Sequence, residues 1–234
     1  RQLLDLEPLV NTHVYRNFLI LQISLFVIFP FFSVSAWANL VELMLGMSLL
    51  SIGLRLTVRK RQFKSTLLPF LLVLSLWIAE LVFENLQELR AIRLTLFILF
   101  FIRILWFVSY QVFIDHKIPI ADRLLGTISI YLLIMALFGY FYSFILLINP
   151  HAILCNSTLC QDQNLMFSRD GDGLYFSSVI LTTLGFGDLI PGTPVVAMMA
   201  SIEALLGQMY VAVAIARIVG LRSLDVAQSK DPDS

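Results

Sequence analysis

The stretch "TTLGFGD", Thr182 to Asp188, sets two glycines around a phenylalanine, directly after two threonines and before an aspartate. Its usable chemistry lies in the main chain. Gly185 and Gly187 admit backbone angles that a side chain would forbid, so successive carbonyls can point one way where a strand would alternate them. The result is a ladder of oxygens from Thr183, Leu184, Gly185 and Phe186, with the Thr183 hydroxyl as its innermost rung. Away from water, carbonyls without donors cost several kcal/mol each, and a dehydrated cation is a partner that offsets the cost.

The rest of the chain must hold that ladder away from bulk water. Of 234 residues 59% are hydrophobic and only 14% charged, with a mean hydropathy of +0.86, a combination that implies an integral membrane protein. A helix crossing about 30 Å of hydrocarbon needs about 20 apolar residues. Six stretches qualify, at 18–36, 38–56, 66–86, 91–111, 123–148 and 194–217. A seventh, 174–184, is too short to cross. It must enter and return, as a half-membrane helix from Leu174 to about Thr182 followed by an extended segment.

Charge placement orients these spans. Arg55, Arg59, Lys60, Arg61 and Lys64 cluster after the second span, which puts that loop, and both termini, in the cytoplasm. Only Arg90 and Arg169 then fall in outside loops. The long outside segment 149–173 holds Cys155 and Cys160, which can close a small disulfide in an oxidising compartment. There is no zinc spacing, nucleotide-binding glycine loop, nucleophile with a base, or basic aromatic surface for nucleic acid. His13, His116 and His151 are scattered in or near loops. Nothing supports an enzyme.

With the half-length helix, the flanking spans and the threonine pair in place, "TTLGFGD" resembles the signature of the tetrameric potassium channel family, of prokaryotic type and six-span, voltage-gated-like architecture. The upstream "YFSSVIL" is similar to that family's pore helix, with Tyr175 and Phe176 at the positions of an aromatic pair around the filter. Gly207, 22 residues after Gly185, falls where the family's inner helix often carries a gating glycine, although close helix packing explains a glycine there as well. Phe186 lacks the hydroxyl of tyrosine-bearing filters, and Val179 stands where some bacterial members carry a buried acid.

The resemblance implies an all-α membrane protein with six transmembrane helices plus a re-entrant pore helix and selectivity filter. Its parts would be a four-helix voltage-sensor-like domain over 1–115, a linker over 116–122, a pore domain over 123–217 and a short cytoplasmic tail over 218–234. It implies K⁺ ions bound by Thr183, Leu184, Gly185 and Phe186, with Thr182, Gly187, Asp188, Tyr175 and Phe176 as filter support. It also implies three identical partner subunits, surrounding lipid, no nucleic acid, and a multi-pass place in the cell membrane. The alternatives are a poorly selective cation channel, and a K⁺ transporter subunit or silent assembly partner.

In the family's six-span members the fourth helix carries arginines at every third position. Here it reads "RAIRLTLFILFFIRILWFV", with only Arg90, Arg93 and Arg103. Each charge crossing the full field is worth about 2.3 kcal/mol per 100 mV, and steep gating needs roughly three to four per subunit. Arg90 and Arg93 sit near the outer end with Glu80, Glu84 and Glu88, an outer ion-pair cluster, while Arg103 lies about 18 Å deeper than Ala91. Voltage dependence is expected to be weak or absent. Glu203, one turn before Gly207, either faces the cavity as a gating or cation-concentrating acid, or turns behind the filter to bond Ser177, Ser178 or Thr182.

Overall fold

The computed structural model describes residues 14–32, 75, 87–114, 120–156 and 169–230. The second and third expected spans, Glu80, Glu84 and Cys160 lie outside them. The described residues are mostly helical, and among them three helices are long and apolar enough to cross a membrane: Gln87–Ile114, Ala121–Ile148 and Pro194–Arg217. They fall on the fourth, fifth and sixth expected spans, and support a membrane protein.

Helix α1 (Val14–Phe32), α2 (Gln87–Ile114) and α3 (Ile120–Ile148) form one packed group. Only residues 115–119 separate α2 from α3, so the two fold back as an antiparallel pair. Their seam runs from Val112 beside Gly126 at one end to Phe97 and Phe101 on Tyr140 at the other. Phe97 stacks on Tyr140 with ring centroids 5.2 Å apart. α1 joins through Tyr15, whose hydroxyl donates to Gln111 at 2.7 Å, and Gln22, which donates to the Ser129 carbonyl at 3.3 Å.

The second group is built on α3 from its other side. A short helix, α4 (Arg169–Leu181), descends antiparallel to α3, with Gly173 against Gly139 and Ser143, Ser177 against Met135, and Leu181 against Tyr131. A Cβ on Gly173 would lie 2.5 Å from the Gly139 carbonyl, so this crossing is backbone on backbone. α5 (Pro194–Lys230) then returns along both. Tyr142, Leu146, Ala152, Ile153, Phe176, Leu189 and Val196 close the core between them.

Two features differ from the sequence expectation. α4 begins at Arg169, five residues ahead of Leu174: Gly171, Asp172 and Gly173 are buried, Gly173 against Gly139 and Ser143 of α3, and continue the helix; an acid in the first turn suits a helix N-terminus. Its 13 residues still fall short of the about 20 needed to cross. The all-helical expectation also omitted a small antiparallel ribbon, β1 (Ile153–Cys155) with β2 (Leu189–Pro191), in register Ile153 to Pro191 and Cys155 to Leu189. Cys155 is disulfide-bonded.

Candidate ion-conduction site

α4 ends on Leu181, and the chain leaves it by a tightening turn followed by a loosened one. Thr183 N donates to the Ile180 carbonyl and Leu184 N to the Val179 carbonyl, both at 2.9 Å. The Thr182 hydroxyl turns back to the Ser178 carbonyl at 2.6 Å, which occupies it within the helix end. Beyond this point the main chain alternates in hand. Thr183, Gly185 and Gly187 have φ of 59°, 61° and 76°, while Leu184 and Phe186 stay on the ordinary negative side.

Alternating left- and right-handed residues turn successive peptide groups to the same side, as in main-chain ion-binding nests. Among the described residues, the carbonyls of Thr183, Leu184, Gly185 and Phe186 accept no hydrogen bond within the chain. The Leu184 and Phe186 side chains are exposed, at 57% and 65%. A Cβ on Gly185 or Gly187 would meet nothing within 4 Å, so what demands glycine there is the backbone angle and not crowding within one chain.

Asp188 fixes the C-terminal end of this segment. Its Oδ2 accepts from the Tyr175 hydroxyl at 2.5 Å, its Oδ1 from Leu189 N at 2.8 Å, and its carbonyl from Asn156 N at 2.7 Å. The ribbon continues the strap, with Gly192 N donating to the Ala152 carbonyl at 2.8 Å. Of the two expected aromatic supports, Tyr175 reaches Asp188, whereas Phe176 is buried behind α4, edge-on to Tyr142 at 4.9 Å.

The residues singled out on α5 also find partners. A Cβ on Gly207 would lie 2.7 Å from the Leu181 carbonyl and 2.9 Å from Leu181 Cδ1, so α5 passes against the end of α4 with no room for a side chain. Glu203 is fully buried. Its Oε2 accepts from the Tyr142 hydroxyl at 2.7 Å, and its Oε1 lies 2.5 Å from Ser177 Oγ. It stands behind α4, away from the exposed segment. Residue by residue, the structure joins Tyr175 with Asp188 and Glu203 with Ser177; Arg93 is buried in the α2 group and Arg103 is exposed.

Sequence reasoning missed Tyr131 and Tyr142. The Tyr131 hydroxyl donates to the Leu181 carbonyl at 2.9 Å, holding the last turn of α4. The two tyrosines lie 11 residues apart, close to three helical turns and hence on one face of α3. That spacing of polar-tipped rings in an apolar span is the signal that finds them.

Residues 130–221 match the family model described as an ion channel. The match runs from α3 through α4 and the exposed segment into α5, so it contains every contact just described on these elements. It supports an ion-channel family and a channel in place of an enzyme. No curated protein and no solved structure matches the chain significantly.

Proposed function

We propose that the chain is a subunit of a homotetrameric potassium channel, passing K⁺ passively through a pore lined by residues 183–186. The reading is carried by one observation: three positive φ angles at alternate positions, Thr183, Gly185 and Gly187, with four consecutive carbonyls between them left without donors. One such segment cannot surround an ion. Four copies about an axis supply rings of oxygens that replace a hydration shell, and the Thr183 hydroxyl adds the innermost ring. Phe186 supplies its carbonyl as well as a tyrosine would.

On this reading Gly187, Asp188, Tyr175 and Thr182 keep the filter in place, and residues 123–217 are the pore domain. Residues 1–115 form a voltage-sensor-like domain that gates weakly or not at all, and 116–122 is the linker. The subunit sits in the cell membrane with both termini in the cytoplasm, and three identical copies and lipid are its partners. Gly207 is the point where a gate in α5 would bend, although its contact with Leu181 already requires a glycine.

The test is ion flux into liposomes containing the purified chain alone. K⁺ and Rb⁺ are expected to enter and Na⁺ to be excluded. Equal Na⁺ and K⁺ permeation would favour a poorly selective cation channel, and absence of all flux a transporter subunit or silent partner.

A further inference from the structure

Glu203, Ser177, Tyr142 and Met135 bring together four oxygen-bearing groups from three helices, and the distances between them fix how many protons they share. The Tyr142 hydroxyl oxygen lies 2.7 Å from Glu203 Oε2. Ser177 Oγ lies 2.5 Å from Glu203 Oε1 and 2.7 Å from the Met135 carbonyl. Three oxygen-to-oxygen contacts need three protons. Each hydroxyl carries one, and the Met135 carbonyl carries none, so the two hydroxyls satisfy only two contacts.

The surroundings agree with that count. Glu203, Ser177 and Tyr142 are all fully buried. Among the described residues no basic side chain pairs with Glu203, and the nearby Tyr131 hydroxyl is engaged by the Leu181 carbonyl. An ionised carboxylate there would be a buried charge with no counter-charge, among the costliest arrangements in a protein interior.

We propose that Glu203 is held as a neutral carboxylic acid whose proton completes a chain from Tyr142 through Glu203 and Ser177 to Met135, making it the positioning residue that ties α3 and α5 to the back of α4. Tyr142 donates to Oε2, the acid proton on Oε1 goes to Ser177 Oγ, and Ser177 donates to the Met135 carbonyl. Each of the three protons in the chain then has an acceptor. Glu203 touches none of the carbonyls of 183–186; it acts on them through the helix that carries them. The inference rests on the pore reading only in that α4 is taken as the helix that aims the filter.

Glutamine copies the neutral acid, with an N–H donor for Ser177 and an oxygen for Tyr142, and it cannot copy a carboxylate. The experiment compares wild type, Glu203→Gln and Glu203→Ala in liposomes at neutral pH, by infrared spectroscopy and by K⁺ flux. The wild type is expected to show a protonated-carboxyl C=O band that is absent from Glu203→Gln. K⁺ flux should stay within about twofold of wild type in Glu203→Gln and fall at least about tenfold in Glu203→Ala, as loss of a buried hydrogen-bonding partner implies. Absence of the band, or equal damage from the two substitutions, overturns the proposal. If Glu203→Ala does not assemble, the spectra of wild type and Glu203→Gln decide alone. The band is read without ion flow: a band without wild-type flux refutes the pore reading, and flux without a band refutes only the neutral acid.

Discussion

Thr183 holds a φ of 59°, a left-handed geometry that costs a β-branched residue of order 1–3 kcal/mol and persists only where its surroundings impose it. Its amide is pinned to the Ile180 carbonyl and that of Leu184 to Val179, so the strain is held by the end of α4. Gly185 and Gly187 repeat the hand at lower cost. Gly185→Ala and Gly187→Ala should each add about 1–2 kcal/mol of backbone strain and abolish K⁺ flux. Circular dichroism of the same samples should show unchanged helix content; normal flux in either variant would remove the segment from the conduction path. Tyr175→Phe strips Asp188 Oδ2 of its donor and loosens the C-terminal end of the segment. It is expected to raise Na⁺ flux relative to K⁺ in liposomes, and an unchanged ratio would reduce Tyr175 to packing. Gly207→Ala sets a methyl against the Leu181 carbonyl and should cost about 1–3 kcal/mol, seen as a lower thermal midpoint of the purified protein.

Among the elements, α2 is the one whose charges decide between an electrically driven gate and a passive scaffold. Arg93 is buried, and Leu94, Phe97 and Phe101 of the same helix pack in the core that includes residues of α3, so sliding α2 would break that core. At its C-terminal end the Arg217 guanidinium of α5 lies 4.8 Å above the Phe113 ring and donates to the Phe113 carbonyl, in the last turn, where carbonyls lack helical partners. Patch recordings should give a shallow conductance–voltage relation that Arg93→Gln and Arg103→Gln leave unchanged; a steep relation lost in those variants would reverse this. The short helix α4 was legible because its length falls below a membrane crossing, and the ladder because main-chain chemistry demands glycine at fixed places. The ribbon was not, since three-residue strands carry no alternation to read and Cys155 meets Leu189 from 34 positions away. For Glu203 the sequence offered Ser177, Ser178 or Thr182, of which the structure selects Ser177, whereas Tyr142 enters only through the packing of α3 on α5.

For the whole molecule, α5 presents a large apolar surface that the described residues leave exposed. Met198, Leu205 and Val213 are 64%, 57% and 60% exposed. In the proposed assembly neighbouring copies and lipid cover them, and light scattering in detergent should give a particle of four chains; a well-folded monomer would contradict it. The five-residue connection between α2 and α3 has a bearing on such a particle. Because α2 packs on α3 of the same chain, each protomer of the proposed assembly would buttress its own share of the pore wall. In oligomers mixed from intact and damaged chains, a lesion in α1 or α2 is therefore felt first by the quadrant that bears it, and function should decline in graded steps with the dose of faulty chains.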